Sequence, residues 1–286
     1  MRIHSRAPED NGRRGAVTTL DSIDLDLRIA EFKINGYVVL EDMLHEETID
    51  RVREAFLPLL QHVKERETEE SGHEVGDVRT GKGRLQVTNR YTLTIPWVEP
   101  FADPEIFEHP VILEFLERYW GTDDFVIVCY HSNNPYPGSE FQRWHRDTSI
   151  GKDIPHTGLE RTPIVGVKFP LVETSEENGS IEVLPSTQYL ADPGLEPKYD
   201  EIIRAGRFPS SHRLNMKKGT MWVQDVRTLH RGTPNRSDAP RPELVVCYCR
   251  PFWNITHVME MTNEFYEGLS ERGQKLLVRR EIVDGE

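Results

Sequence analysis

Cysteine is scarce. Among 286 residues there are three, Cys129, Cys247 and Cys249, with no CxxC pair, so a disulfide framework is excluded. Cys247 and Cys249 stand two apart in a β-rich stretch, share one face of a strand, and read as packed thiols rather than a bridge. A reducing cytoplasmic setting suits such a chain. No run of about 18 apolar residues is present, so nothing is expected to span a membrane. Positive charge is in deficit: 35 Lys and Arg against 48 Asp and Glu leave a net charge of −13, which repels phosphate backbones and argues against a nucleic-acid partner. The first 20 residues carry arginines but no apolar h-region and read as a disordered tail, not a signal peptide. The closing VDGE matches no sorting address. Repeats and Gly/Ser-rich linkers are also lacking, so residues 21–286 are expected to form a single domain.

What is present is enough to build a core: 37% apolar residues, with 5 Trp, 9 Tyr and 11 Phe. A short helix is expected from about Ile23 to Ile34, stopped by Asn35 and Gly36, followed by a short apolar strand at Tyr37–Leu40. Between Glu46 and Glu67, Ile49, Val52, Phe56, Leu59, Leu60 and Val63 recur at spacings of three and four, the stripe of an amphipathic helix packed on a sheet. Residues 68–83 read as a polar loop. Leu85 to Ile95 alternate as one half-buried strand, and Pro104 to Trp120 as a second helix ended by Gly121. From Asp124 the texture changes. Residues 125–131, 141–145, 162–172, 180–184, 220–223, 228–230 and 243–250 read as seven strands with no helix between them, which predicts an antiparallel sandwich or barrel over about 124–253. Residues 189–216 form a connection long enough to be a lid, and Thr262–Ile282 reads as a closing helix.

The chemistry concentrates in FQRWHRDTS, Phe141 to Ser149. On a strand, His145 and Asp147 point to one side and Trp144 and Arg146 to the other. One imidazole and one carboxylate then converge, two thirds of the 2-His-1-carboxylate arrangement that holds non-haem iron on one face and leaves the opposite positions open. His230, at the end of another expected strand, is the natural third ligand, with His131 as a fallback. Arg241 follows His230 after the turn residues TPNRSDAP and either opens the next strand toward the same cavity or sits at the surface beside Pro242. In a cavity its guanidinium suits a bidentate carboxylate.

Taken in order, INGYVVLEDMLHEETIDRVREAF, WHRDTS, EENGSIEVLPSTQ and LHRGTPNRSDAPR resemble the phytanoyl-CoA dioxygenase (PhyH-like) family of Fe(II)/2-oxoglutarate-dependent oxygenases. The resemblance implies a mainly β fold with flanking helices: a double-stranded β-helix, jelly-roll or cupin-like, with an N-terminal helical buttress. It further implies that His145, Asp147 and His230 bind Fe(II), that Arg241 holds the distal carboxylate of 2-oxoglutarate, and that O2 is consumed with release of succinate and CO2. Relatives often carry an anchoring asparagine ahead of the HxD segment. Asn134 stands near that position, and a turn or packing role fits it as well. Two departures limit the transfer of a substrate: Pro185, Ser186, Thr187 and Gln188 stand where many relatives read PGSH, and Gly219–Thr220 stands in place of Gly-Asp. Related halogenases replace the carboxylate ligand with a small residue, so Asp147 favours hydroxylation or another oxidation over halogenation.

The expected substrate is a small molecule, anionic or a natural-product or lipid-derived intermediate, near Asn89, Arg90, Tyr91, Trp97, Arg143, Arg146, Lys168 and Trp253. Packing roles compete for each of these: a tryptophan packs, and a strand lysine snorkels to solvent. Two rival readings remain, a non-catalytic ligand-binding barrel that keeps the triad as a structural metal site, and a zinc-dependent hydrolase.

Overall fold

The computed structural model describes residues 17–67, 76–77, 84–87, 89–147, 160–190, 196–208, 210–253 and 259–283. Helix α1 (Leu25–Asn35) starts where the Asp24 carboxylate accepts the Leu27 N–H, and it ends at Gly36, whose φ of 79° is open to glycine at no steric cost. It buries Leu25, Ile29 and Phe32, with Phe32 edge-on to Phe115 and Tyr119. Strand β1 (Tyr37–Leu40) leads to α2 (Glu46–Glu67), and the expected stripe of Ile49, Val52, Phe56, Leu60 and Val63 is its buried side. After α3 (Pro104–Phe107), α4 (Pro110–Trp120) begins with a proline whose missing N–H costs nothing there and buries six apolar side chains, each contributing about 1.5–3 kcal/mol.

These helices cover one face of a mostly antiparallel sheet. In spatial order its strands are β1, β9 (Met221–Asp225), β6 (Ile164–Pro170), β11 (Glu243–Cys249), β5 (Val126–Pro135), β4 (Arg90–Thr94) and β2 (Gly76–Asp77), with β3 (Arg84–Val87) paired to β4. Among its described strands only the β2–β4 pair is parallel. The central strands β6 and β11 are buried along their whole length, so apart from Lys168 and Glu243 they carry no charge. Val165, Val167, Phe169, Leu244 and Val246 face the helices. The other face carries Trp222, which packs with Ile181, Val183, Leu214 and Met216 around a second small sheet of β10 (His230–Arg231), β7 (Glu182–Val183) and β8 (His212–Arg213). Two facing antiparallel sheets with helices outside one of them form the expected jelly-roll core.

Several expectations are corrected. Residues 85–95 are not one strand: β3 and β4 form a hairpin that turns at Asn89, whose φ of 54° suits asparagine. The main sheet is therefore completed by N-terminal strands β1 to β4 from outside 124–253. Residues 141–145 form no strand, only one β-bridge at His145. The closing helix is broken. Gly268 ends α6 (Asn263–Glu267) and Ser270 caps α7 (Glu271–Leu276), while β13 (Arg280–Ile282) pairs in parallel with β12 (Met259–Met261). The 189–216 connection contains α5 (Glu196–Arg204) and β8. Residues 1–16 of the expected tail and most of 68–83 lie outside the described residues.

Candidate metal centre

His145 and His230 face each other as a hydrogen-bonded antiparallel pair, each backbone N–H donating to the other's carbonyl at 3.0 Å. The Asp147 N–H donates to Val226 O at 3.0 Å, two residues past the Thr228 carbonyl that a regular ladder would use. Alternation along this short ladder sets His145 and Asp147 on one side, beside His230, although the chain is irregular there. One ligating atom from each of the three lies within 4.8 Å of the others. Asp147 Oδ1 is 3.2 Å from His230 Nε2 and 3.9 Å from His145 Nε2, and the two rings are 4.4 Å apart.

The other ring nitrogens fix the chemistry. His145 Nδ1 lies 2.8 Å from Arg143 O, and His230 Nδ1 lies 3.0 Å from Thr228 O, with the side-chain amide of Gln224 beside the same nitrogen. A carbonyl accepts only from Nδ1–H, so each Nε2 keeps its lone pair toward the carboxylate, as a metal-ligating imidazole requires. Burial, followed by the neighbouring His230, pushes His145 down to about 4, which keeps the ring neutral. Burial pushes Asp147 up, but Lys168 and then His230 outweigh it and hold the carboxyl well below its ordinary range. Two neutral nitrogens and one carboxylate oxygen, converging from one side, fit a ferrous ion.

Lys168, expected either near the substrate or snorkelling to solvent, lies instead against the triad. It is 3% exposed, not snorkelling, with Nζ 3.1 Å from Asp147 Oδ2 and 4.7 Å from the centre of the Trp222 ring. Strand register could have found it: Lys168 sits opposite Val245 on β11 and Trp222 on β9, on the face turned away from the helices.

Arg241 lies on that same face. It is 1% exposed; NH1 is 3.7 Å from Glu243 Oε1, and among the described residues Nε and NH1 have no hydrogen-bond partner. Glu243 is instead held by Trp222, whose Nε1 donates to Oε1 at 3.0 Å. Burial pushes the Arg241 guanidinium below its ordinary value, while Glu243 pulls it back up. Arg90, 5% exposed, donates to the carbonyls of Glu140 and Thr233, and burial followed by Arg241 pushes it down to about 9. An interior with excess positive charge and unpartnered guanidinium N–H groups is a seat for a carboxylate.

Asn134 is not in this group. It alternates with His131 along β5, so it points to the helix-side face, where its amide donates to Tyr91 O and Ser132 Oγ. It staples β4 to β5. Tyr91 and Trp97 are core residues, 3% and 4% exposed, and Trp253 packs beside Val126 and Val128. Trp144 stacks on Arg231, and Arg146 donates to Thr187 O.

Residues 32–242 match the phytanoyl-CoA dioxygenase (PhyH) family over most of the chain. The chain belongs to that family. It is 25% identical over 172 residues to the dioxygenase cdmD of Talaromyces verruculosus, a match covering 56% of this chain and 54% of cdmD, so it spans about half the length of that relative. Among solved structures, AviO1 from Streptomyces viridochromogenes superposes with a TM-score of 0.59 at 19% identity, covering 84% of this chain and 99% of AviO1. HygX from Streptomyces hygroscopicus, solved with nickel, 2-oxoglutarate and hygromycin B bound, superposes at 0.56 and 12% identity, covering 84% and 93%. At these identities the likeness to the two structures speaks to the fold alone. Among the described residues, no helix is long and apolar enough to cross a membrane.

Proposed function

We propose that this PhyH protein is an Fe(II)- and 2-oxoglutarate-dependent oxygenase that hydroxylates, or otherwise oxidises, a small molecule. The observation that carries the reading is the orientation of the triad: both histidines spend Nδ1 on the protein and present Nε2 to the Asp147 carboxylate. His145, Asp147 and His230 would hold the iron, and Arg241 the distal carboxylate of the co-substrate. Iron bound there with 2-oxoglutarate supplies O2 activation coupled to decarboxylation, yielding succinate and CO2. The chain's own residues do the rest. Lys168 fixes the unligated oxygen of Asp147, the Thr228 carbonyl fixes the His230 ring, and Arg241 orients the co-substrate without moving a proton. Excess cationic charge around Arg241 and Arg90 supports an anionic substrate or co-substrate in an otherwise acidic protein, and the hygromycin-bound HygX supports a natural-product-like small molecule.

Succinate release under air, with Fe(II) and 2-oxoglutarate alone, tests the proposal. Slow uncoupled succinate formation that His145→Ala or Asp147→Ala abolishes is expected. Its absence from the wild type would favour a ligand-binding barrel, and hydrolysis supported by zinc without O2 would favour a hydrolase.

A further inference from the structure

The face of the main sheet that carries the triad's supports also carries three soft donors. Two rows of strand neighbours run side by side across it: Trp222, Lys168, Val245 and His131, then Gln224, Gly166, Cys247 and Cys129. Lys168 in the first row holds Asp147, and Gln224 in the second lies against the His230 ring. Cys129 and Cys247 are direct cross-strand partners, and His131 shares their face two residues along β5. Ligating atoms of all three lie within 4.8 Å of one another, with Cys129 Sγ 3.7 Å from His131 Nδ1.

We propose that Cys129, His131 and Cys247 form a second metal site, for a thiophilic divalent cation such as zinc, on the wall shared with the iron triad. A tetrahedral zinc with one thiolate and one imidazole ligand holds sulfur and nitrogen about 3.6 Å apart, so the Cys129–His131 pair already has the spacing that a metal needs. Two thiolates and a neutral imidazole cancel the charge of a divalent ion, which suits walls of Val126, Val128, Val245 and Cys249. Binding forms two metal–sulfur bonds and one metal–nitrogen bond and releases one proton from each thiol. Cys129 and His131 are partly exposed, and a Cβ built on Gly166, beside Cys247, meets only Lys168 Cε at 3.4 Å among the described residues. An ion therefore has a way in and room for a fourth ligand. Hard carboxylate is absent from this set, so it selects a softer metal than the triad does. The two sites are separate claims, and this one holds whether or not the triad carries iron.

The test uses cadmium chloride alone, added to chelator-stripped His145→Ala/His230→Ala protein. One equivalent is expected to bind with a thiolate-to-cadmium charge-transfer band in the ultraviolet, and Cys129→Ser or Cys247→Ser in that background to abolish the band. No band in a variant whose circular dichroism matches the wild type, or a band that survives both serine substitutions, overturns the site. In the unmutated chain, one equivalent of zinc should slow iodoacetamide labelling of Cys129 and Cys247 at least tenfold, read peptide by peptide. Unchanged labelling at both cysteines also overturns it.

Discussion

Lys168 Nζ lies 3.1 Å from Asp147 Oδ2, while the other oxygen of the same carboxylate faces His230 Nε2 at 3.2 Å. The carboxylate is thereby divided: one oxygen held by a buried ammonium, the other directed at the imidazoles. Such support fixes a ligand as a monodentate donor. Lys168→Met keeps the stem and removes the charge, and is expected to weaken Fe(II) or Co(II) binding about 10–100-fold in a metal titration. Unchanged metal affinity would mean that Lys168 serves only packing.

Arg241 has buried N–H groups without hydrogen-bond partners among the described residues, and the neighbouring Glu243 is occupied by Trp222. Truncating one side of a buried charge pair costs about 2–5 kcal/mol. Arg241→Met is therefore expected to raise the KM for 2-oxoglutarate at least ~30-fold while leaving Fe(II) affinity in place. Loss of metal binding with an unaltered KM would contradict the assignment.

Where side chains report on spacing, the sequence was readable. The stripe from Ile49 to Val63 predicted α2, the stop at Gly121 predicted the end of α4, though the one helix expected from Pro104 breaks at Glu108 and His109 into α3 and α4, and the turn-separated apolar runs predicted the sandwich. The HxD pair, the distal His230 and Arg241 were legible because each sits in a motif of residue types, and the structure brings the first three together. What could not be read depends on neighbours from far along the chain. Lys168 looks like a strand lysine until β11 and β9 flank it, and Asn134 changes faces with a one-residue difference in parity. The break at Gly268 and Ser270 was visible, but the apolar spacing of Phe265, Leu269 and Leu276 masked it.

Gly36 closes α1 at φ 79°, and its carbonyl accepts from the Asp225 N–H and the Thr228 hydroxyl, in the segment that leads to His230. A Cβ there collides with the Thr228 hydroxyl and the Gln188 side chain, besides the strain of the left-handed backbone. Gly36→Ala is expected to cost at least about 1–2 kcal/mol in chemical denaturation. An unshifted midpoint would show that the segment gives way freely.

His109 caps α4 as a neutral ring: Nδ1 accepts the Val111 N–H at 3.2 Å, and Nε2 donates to Met43 O at 2.9 Å. Burial lowers its pKa, against the opposing pull of the Met43 bond and Glu105. Below the ordinary value of about 6.5 the unfolded chain therefore takes up a proton that the fold refuses, so stability falls with pH. His109→Asn keeps a capping acceptor and should shrink the loss of stability between about pH 7.5 and 5.5, measured by urea denaturation. An identical loss in both proteins would assign it to other groups.

The most direct test is an anaerobic titration of the stripped protein with Fe(II) and 2-oxoglutarate, followed by the visible metal-to-ligand charge-transfer band of the chelate. The account predicts saturation at one equivalent in the wild type and no band in His145→Ala, Asp147→Ala or His230→Ala. A band that persists in those variants, or none in the wild type, would contradict it.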